Sequence, residues 1–308
     1  MTYSSGNTIL ATDYNTFVGT VNAVVGPSSS YRSGDGYGDS ALATVSASAT
    51  VNSTSWNNLI DAVKKAATHQ GTTVNLPGSD LNTGDTIEAL DGSTSGSGTL
   101  NLTQAVTDID TNKGNVDTGE QTTIAGSTAS TRGSAWGTGG TETITAQIRV
   151  QFSNQVHTDA FFNTGGEIHI TFQHPNTGTS SAQDNAWRTI FNTAIGTLKL
   201  QKTSIARTGS SGTIAAFGYT SLTSSYQNIY TGTNIGGGAY GANDVIVKAK
   251  LDETNHRVEF EIDLVDQSTA VAPSTADSVA AGTAVSFGFR KSSQYNPTTP
   301  TVSQISGF

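Results

Sequence analysis

The chain has no cysteine, one methionine and six prolines among its 308 residues, and only 13% of the residues are charged. The absence of cysteine excludes disulfide bonds, thiolate metal sites and a cysteine nucleophile. Globular proteins usually carry about 25% charged residues. The polar groups at the surface must therefore be mainly the hydroxyl and amide groups of uncharged side chains. That composition favours β-sheets of small residues and long loops over a helical bundle.

Long apolar runs and basic patches are also scarce. No stretch approaches the ~20 apolar residues of a membrane-spanning helix. The opening residues, Met1–Gly6, lack the basic start and apolar segment of a secretory signal. We therefore expect no membrane insertion, and assembly in the cytoplasm. The net charge is −9, with most of the acidic excess in residues 1–140, so we expect no nucleic-acid partner.

The first part of the sequence, residues 1–113, has the periodicity of short helices. One helix is predicted to end at Gly26, a second to run from Ser55 to Gln70, and a third to cover residues 102–109. The apolar stripes of the first two helices are suited to packing against each other or to docking onto another protein. The candidate assembly interface consists of Tyr14, Phe17, Val21, Trp56, Leu59 and Val63.

Two further regions follow the helical part. Residues 114–140 are dominated by Gly, Thr and Ser and are predicted to form a linker or an extended arm. Residues 141–308 contain runs of alternating apolar and polar residues, such as Val258–Leu264, with one helix predicted around Trp187. The predicted fold is mainly β with an α-helical N-terminal part. Its C-terminal domain is an antiparallel, jelly-roll-like β-sandwich with one inserted helix.

The segment Ala160–Phe172 is predicted to form a hairpin. Its Asn-Thr-Gly-Gly sequence consists largely of residues that accept the positive φ of tight turns, and it lies between β-prone runs. Beyond the turn, apolar and polar residues alternate, which places Glu167 and His169 on the solvated side of a strand. Phe161 and Phe162, which precede the turn, are predicted to anchor the core of the β-domain.

Three carboxylates share one face of a predicted strand. Glu259, Glu261 and Asp263 have a spacing suited to binding Ca²⁺ or to supplying an acid and a base. Any half-exposed strand shows the same strict alternation, and we favour that interpretation. The five histidines lack the spacing of a helical zinc motif. We therefore predict no metal, no cofactor and no enzymatic activity.

Three tyrosines form the candidate contact for a glycan. Tyr226, Tyr230 and Tyr240 each offer an apolar ring face together with a hydroxyl, the combination found in sugar-stacking platforms. Tyrosines of this kind also fill sandwich cores and subunit interfaces. Both interpretations therefore stand at the level of sequence.

Several motifs resemble a pattern found in structural proteins of tailed bacteriophages, particularly marine and vibrio-infecting ones. Together they extend over most of the chain. The motifs are Ile9–Asn15, Val21–Gly26, Gly36–Gly38, Trp56–Leu59, His69–Gly71, Phe161–Ile170 followed by Trp187 and Ile195–Leu198, and Tyr295–Pro300.

The resemblance implies a virion structural protein associated with the tail, neck or fibre, located in the virion and bound to other virion proteins. It implies no catalytic residue. In such a particle we expect a homo-oligomer that docks through its helical N-terminal part and projects the β-domain. The alternatives are an adhesin that binds a glycan on the host surface and, third, a polysaccharide-degrading enzyme acting through the Glu259–Asp263 face.

Overall fold

The computed structural model describes residues 10–32, 34–82, 102–138, 141–175, 181–267 and 278–308. Ile9, with which the first motif begins, lies outside the described residues. The chain divides into two compact units, each built from separate stretches of sequence. Unit 1 comprises Met1–Thr122, Asp159–Gly165 and Ser292–Pro297, and unit 2 comprises Thr123–Thr158, Gly166–Lys291 and Thr298–Phe308.

Unit 1 contains the predicted helices. They are α1, Ala11–Val25, α2, Ser53–Gln70, and α3, Leu102–Thr111. The side chain of Asn52 caps α2 by accepting a hydrogen bond from the amide of Ser55. Gly71 ends α2 in the left-handed conformation, with φ +67°. Sequence periodicity therefore located both long helices to within a few residues.

The described residues form eleven strands. These are β1 Gln121–Thr131, β2 Glu142–Gln151, β3 Glu167–Gln173, β4 Leu198–Leu200, β5 Ile205–Arg207, β6 Thr213–Ile214, β7 Gln227–Gly232, β8 Asp244–Asp252, β9 Arg257–Asp266, β10 Ala284–Ser292 and β11 Thr301–Ser306. One sheet has the order β1-β10-β3-β4-β5, and the other has the order β11-β2-β9-β8-β7-β6. The prediction of a mainly β, antiparallel, sandwich-like fold with a helical N-terminal part is confirmed.

The inward faces of the two sheets supply the core of unit 2. Phe260 of β9 and Phe287 of β10 approach with ring centroids 5.1 Å apart, and both are buried. The predicted inserted helix is α5, Ala182–Thr189, which continues as a π-helical turn over Ile190–Ile195. A second helix, α4, covers Gln155–Asn163. Among the described residues, no helix combines the length and the apolar character needed to cross a bilayer.

Part of the region predicted as a linker or arm is regular structure. Residues 121–131 form β1, an edge strand of the five-stranded sheet. Its Thr, Ser and Gly residues occur in loops and in strands alike, so local composition did not distinguish the two. The segment is a strand because it pairs with β10, which is distant in sequence.

The hairpin predicted at Ala160–Phe172 is wrong in its first half, because Phe161 and Phe162 lie near the end of α4. The Asn154 side chain accepts the amide of His157 at the start of this helix, and Gly165, with φ +76°, lies at its end. The same glycine chemistry serves a helix end and a hairpin turn. Asp159–Gly165 belongs to unit 1, whereas the first residues of the same helix belong to unit 2, and the anchoring of the β-domain core by the two rings stays a prediction.

We expect Phe161→Ala and Phe162→Ala each to lower the free energy of unfolding by about 3 to 5 kcal/mol. Both rings are buried, at 0% and 1% exposure, and they contact each other edge to face. Urea denaturation followed by tryptophan fluorescence provides the measurement. Leu10→Ala, at a side chain 57% exposed, is the control and should change stability by less than about 0.5 kcal/mol. Wild-type stability in both phenylalanine variants would contradict the burial of the two rings in a packed core.

Candidate functional site

The six residues of the predicted assembly interface lie inside unit 1. None is more than 8% exposed, and all belong to one hydrophobic cluster in which the Tyr14 and Trp56 rings meet at 5.3 Å. The apolar stripes of α1 and α2 are thus covered within the chain itself. As an exposed docking surface the prediction is wrong, because amphipathic periodicity shows that a face is buried but not what covers it. The buried set is Tyr14, Phe17, Val21, Trp56, Leu59 and Val63.

The three candidate glycan tyrosines do not form an exposed platform. Tyr230 is 1% exposed and donates its hydroxyl to the carbonyl of Ser211, while Tyr240 is 8% exposed. Only Tyr226 is half-buried, with the Lys250 ammonium 4.6 Å from its ring centroid. Burial raises the pKa of Tyr226 to about 12, and Glu259 and Glu261 add to that effect. The structure therefore brings one of these tyrosines to the charged face of the six-stranded sheet.

The carboxylates of β9 lie on that face and are paired with cations from β8 and from β9 itself. Lys248 on β8 donates to Glu261 at 2.7 Å and to Asp263 at 2.9 Å. Glu259, with a side chain only 7% exposed, is bound by Arg257 at 2.9 Å and by Lys250 at 3.1 Å. The face is a lattice of ion pairs and not a set of free carboxylates.

The electrostatics of this lattice favour the ionised form of Glu261. A hydrogen bond from Lys248 holds the pKa of Glu261 below its ordinary value, although partial burial opposes the shift. A general acid in a glycosidase needs the opposite, a raised pKa. Within the part of the chain that the structure describes, no three His, Cys, Asp or Glu side chains are placed to hold a metal ion. This arrangement agrees with the interpretation favoured from the sequence, in which Glu259, Glu261 and Asp263 form the half-exposed face of a strand.

Glu167 on β3 is also a paired carboxylate. It is 6% exposed, so its predicted position on the solvated side of the strand is wrong. One oxygen lies 2.7 Å from Nε2 of His169, and the other accepts from Gln201 at 2.6 Å. Burial would raise its pKa, but the hydrogen bonds from His169 and Gln201, with help from Lys199, lower it to about 2. The alternation of apolar and polar residues shows which side chains share a face of the strand. It does not show that His169, Gln201 and Lys199 cover Glu167 on that face.

Sequence reasoning missed a buried hydroxyl–imidazole–carboxylate set in unit 2. Nδ1 of His174 lies 3.0 Å from the Thr283 hydroxyl, and Nε2 lies 2.9 Å from Asp184. Asp184 also accepts the amides of Ala280 and Ser181, the latter within the capping box of α5. Because these donors lower the pKa of Asp184 against the effect of burial, the carboxylate is ionised and Nε2 carries the imidazole proton.

This order of groups is the one used by nucleophilic hydrolases. Here, however, Thr283 and the side chain of His174 are fully buried, and the Thr283 hydroxyl also accepts from the indole of Trp136 at 3.2 Å. The set joins the end of β3, the start of β10 and the first turn of α5. Its geometry is that of a structural junction. The Ser181-x-x-Asp184 capping pattern was the one local sign of it.

Residues from separate sequence motifs meet in a second cluster, in unit 1, whose members are buried except for the half-buried Tyr295. The rings of Tyr37, His69 and Tyr295 contact one another with centroids 4.8 to 5.1 Å apart. Gln70 donates to the Tyr37 hydroxyl at 2.9 Å. Asn163 donates to the carbonyls of residues 34 and 36, on either side of Asp35. We call Tyr37, His69, Gln70, Asn163 and Tyr295 the motif cluster.

No model of a protein family, no curated protein and no solved structure matches the chain.

Replacing Glu259 should destabilise the protein more than replacing Glu261. Glu259→Ala removes the buried carboxylate that the half-buried cations Arg149, Lys250 and Arg257 share, a change that costs about 2 kcal/mol. Glu261→Ala removes a more exposed carboxylate whose partner Lys248 retains Asp263, so a loss of about 1 kcal/mol or less is expected. Urea denaturation at neutral pH measures both changes. Equal losses would contradict the description of Glu259 as the centre of the lattice.

Stability should fall as the pH drops from about 6.5 to 4, and His69 should be one cause. Burial lowers the pKa of His69 to about 4, so the unfolded chain binds a proton in this range before the folded chain does. The stabilising effect of the neutral imidazole is complete above about pH 6.5 and disappears towards pH 4, with a total of about 1 to 3 kcal/mol. Urea denaturation at several pH values should show a shallower dependence for His69→Gln than for wild type. His157→Gln is the control, and a His69→Gln slope equal to that of wild type would contradict the prediction.

Proposed function

We propose that the chain is a structural subunit of a tailed-bacteriophage virion, associated with its tail, neck or fibre, and that it is not an enzyme. The proposal begins from the sequence resemblance. It is supported by the way in which the resembling motifs come together in three dimensions. Its location in the virion and its binding to other virion proteins belong to the same proposal.

The motif cluster is the observation that carries this proposal. Tyr37, His69 and Tyr295 come from three motifs separated by more than 30 and by more than 220 residues in sequence, and Asn163 comes from a fourth. Motifs that belong to one structural module should meet in its interior, whereas unrelated coincidences along a sequence have no reason to do so. The cluster consists of ring contacts and hydrogen bonds inside a core. Its residues therefore support a shared scaffold and not a shared reaction.

The use of ionisable side chains points in the same direction. The β9 carboxylates, Glu167 and Asp184 are each engaged by hydrogen bonds or ion pairs from neighbouring elements. The pKa values of Glu167, Asp184 and Glu261 are lowered, which favours ions held in place over groups that exchange protons near neutral pH. The polysaccharide-degrading alternative loses its best residues. The adhesin alternative retains only Tyr226 of its three tyrosines.

The proposed function is tested by locating the polypeptide in particles. Phage particles purified on a density gradient should contain this chain at a fixed ratio to the major capsid protein, as measured by quantitative mass spectrometry. Antibodies against the chain should decorate the tail, neck or fibre in electron micrographs. A non-structural phage protein from the same lysate is the control. Absence of the chain from purified particles would overturn the proposal.

A matched experiment addresses the enzymatic alternative. The triple variant Glu259→Gln, Glu261→Gln, Asp263→Asn removes the negative charges of the β9 face while keeping side-chain size. We expect neither the wild type nor this variant to release sugars from host surface polysaccharide. Degradation by the wild type that is lost in a folded triple variant would contradict the structural role.

A further inference from the structure

The two sheets of unit 2 have unequal edges. One edge of each sheet is closed by a very short strand, three residues in β5 and two in β6. The opposite edges are β11, with six residues, and β1, with eleven. Short edge strands protect a sheet against pairing with another chain, and long ones invite it. The side formed by β1 and β11 therefore lacks the protection that the other side has.

A bulge in β11 hinders pairing of that edge with another strand, whereas part of the β1 edge has no such irregularity. The register of β11 shifts between Gln304 and Ser306, and such a bulge interrupts regular pairing. The Gln304 carboxamide, in the orientation that satisfies its hydrogen bonds, donates to the carbonyl of Ala129 at 3.0 Å. The amide of Phe308 donates to the hydroxyl of Ser130 at 3.1 Å. Residues 304 to 308 thus cover the end of β1, and among the described residues no strand pairs with Thr123–Thr128 on the side away from β10, which makes this the open stretch of β1.

The composition of β1 removes the usual barriers to pairing. None of its eleven residues is charged or proline, although those residues are the common means of blocking an edge. Thr123–Thr128 is exposed apart from Ile124, which is half-buried. Two copies of a chain with net charge −9 repel each other over most of their surfaces. A strand without charge is where that repulsion is weakest.

The open stretch of β1 is suited to pairing with its own copy. When two copies pair antiparallel about a two-fold axis at Gly126, Ala125 of one copy lies opposite Ser127 of the other, and Ile124 lies opposite Thr128. Every residue paired in this way lies within the open stretch and is uncharged. The flanking charges take no part, because Arg132 lies 3.7 Å from Glu142 and Glu120 accepts from the Ser293 hydroxyl at 3.2 Å.

We propose that β1 pairs antiparallel with β1 of a second copy of this chain, joining two five-stranded sheets across a two-fold axis. This inference deepens the assembly role of the proposed function, on which its biological meaning rests, and it names the partner and the surface. Pairing of one strand buries little area, and interfaces below about 1,200 Å² in total are typical of weak complexes. The pairing is therefore weak in dilute solution, and it is reinforced where many copies are held close together.

Charge-swap variants of the purified full chain test this pairing. The variant Ala125→Lys, Ser127→Lys places like charges opposite each other in the symmetric pair, and Ala125→Glu, Ser127→Glu does the same with the opposite sign. Sedimentation velocity across a concentration series should show self-association of the wild type that each variant weakens about tenfold or more. A one-to-one mixture of the two variants should restore it. Thr213→Lys, Ala216→Lys adds the same charge near β6 and is the matched control.

Each outcome of the charge-swap experiment decides the proposal. A wild type that remains monomeric at the highest concentration reached overturns it, as does association that survives in both variants or is not restored by mixing. Circular dichroism and melting of each variant confirm that loss of association does not come from unfolding. Particle analysis remains a separate readout: pairing in solution with absence from particles overturns the proposed function alone, and presence in particles without pairing overturns this inference alone.

Discussion

The register of β2, β9 and β8 is the constraint on which most of unit 2 depends. Ile148 lies opposite Phe260 on the inner side, and Arg149 lies opposite Glu259 on the outer side. Because side chains alternate between faces, a slip of one residue would carry charged groups into the core and apolar ones into water. Individual exposed ion pairs contribute little stability. Their greater effect here is to make any other register costly, in a chain that has few charges to distribute.

Close backbone packing constrains unit 1 around Tyr37. A Cβ at residue 36 would lie 2.1 Å from the carbonyl oxygen of Gly26, and one at Gly38, where φ is +87°, would lie 2.6 Å from the Cβ of Ala160. Only glycine fits on both sides of Tyr37, which explains the Gly-Tyr-Gly motif physically. Tyr37 is thereby directed to His69 and Tyr295. A motif with the composition of a glycine-rich turn is a point of tight packing.

The sequence predicted structure correctly where short-range patterns determine it. It was misleading where contacts between distant residues determine the structure. Period 3.6 and the Gly71 cap were enough to locate α2, and period 2 was enough to identify both faces of β9. At Gly165 the same turn chemistry ends a helix and not a hairpin, because the residues before it are capped by Asn154. The His174 set could not be predicted from sequence, since Thr283 lies 109 residues away and no spacing rule connects them.

The contrast between the edges of unit 2 follows from the same shortage of charge. A protein rich in lysine can block an edge strand at small cost, but this chain places its charges in the β8 and β9 lattice, where they fix register. Shortening β5 and β6 protects one side without using charge. In the part of the chain that the structure describes, the β1 edge is protected neither way along Thr123–Thr128, although residues 304 to 308 cover the residues just beyond. Because the other edges are short or interrupted by a bulge, the open stretch of β1 is where the proposed pairing with a second copy meets the least obstruction.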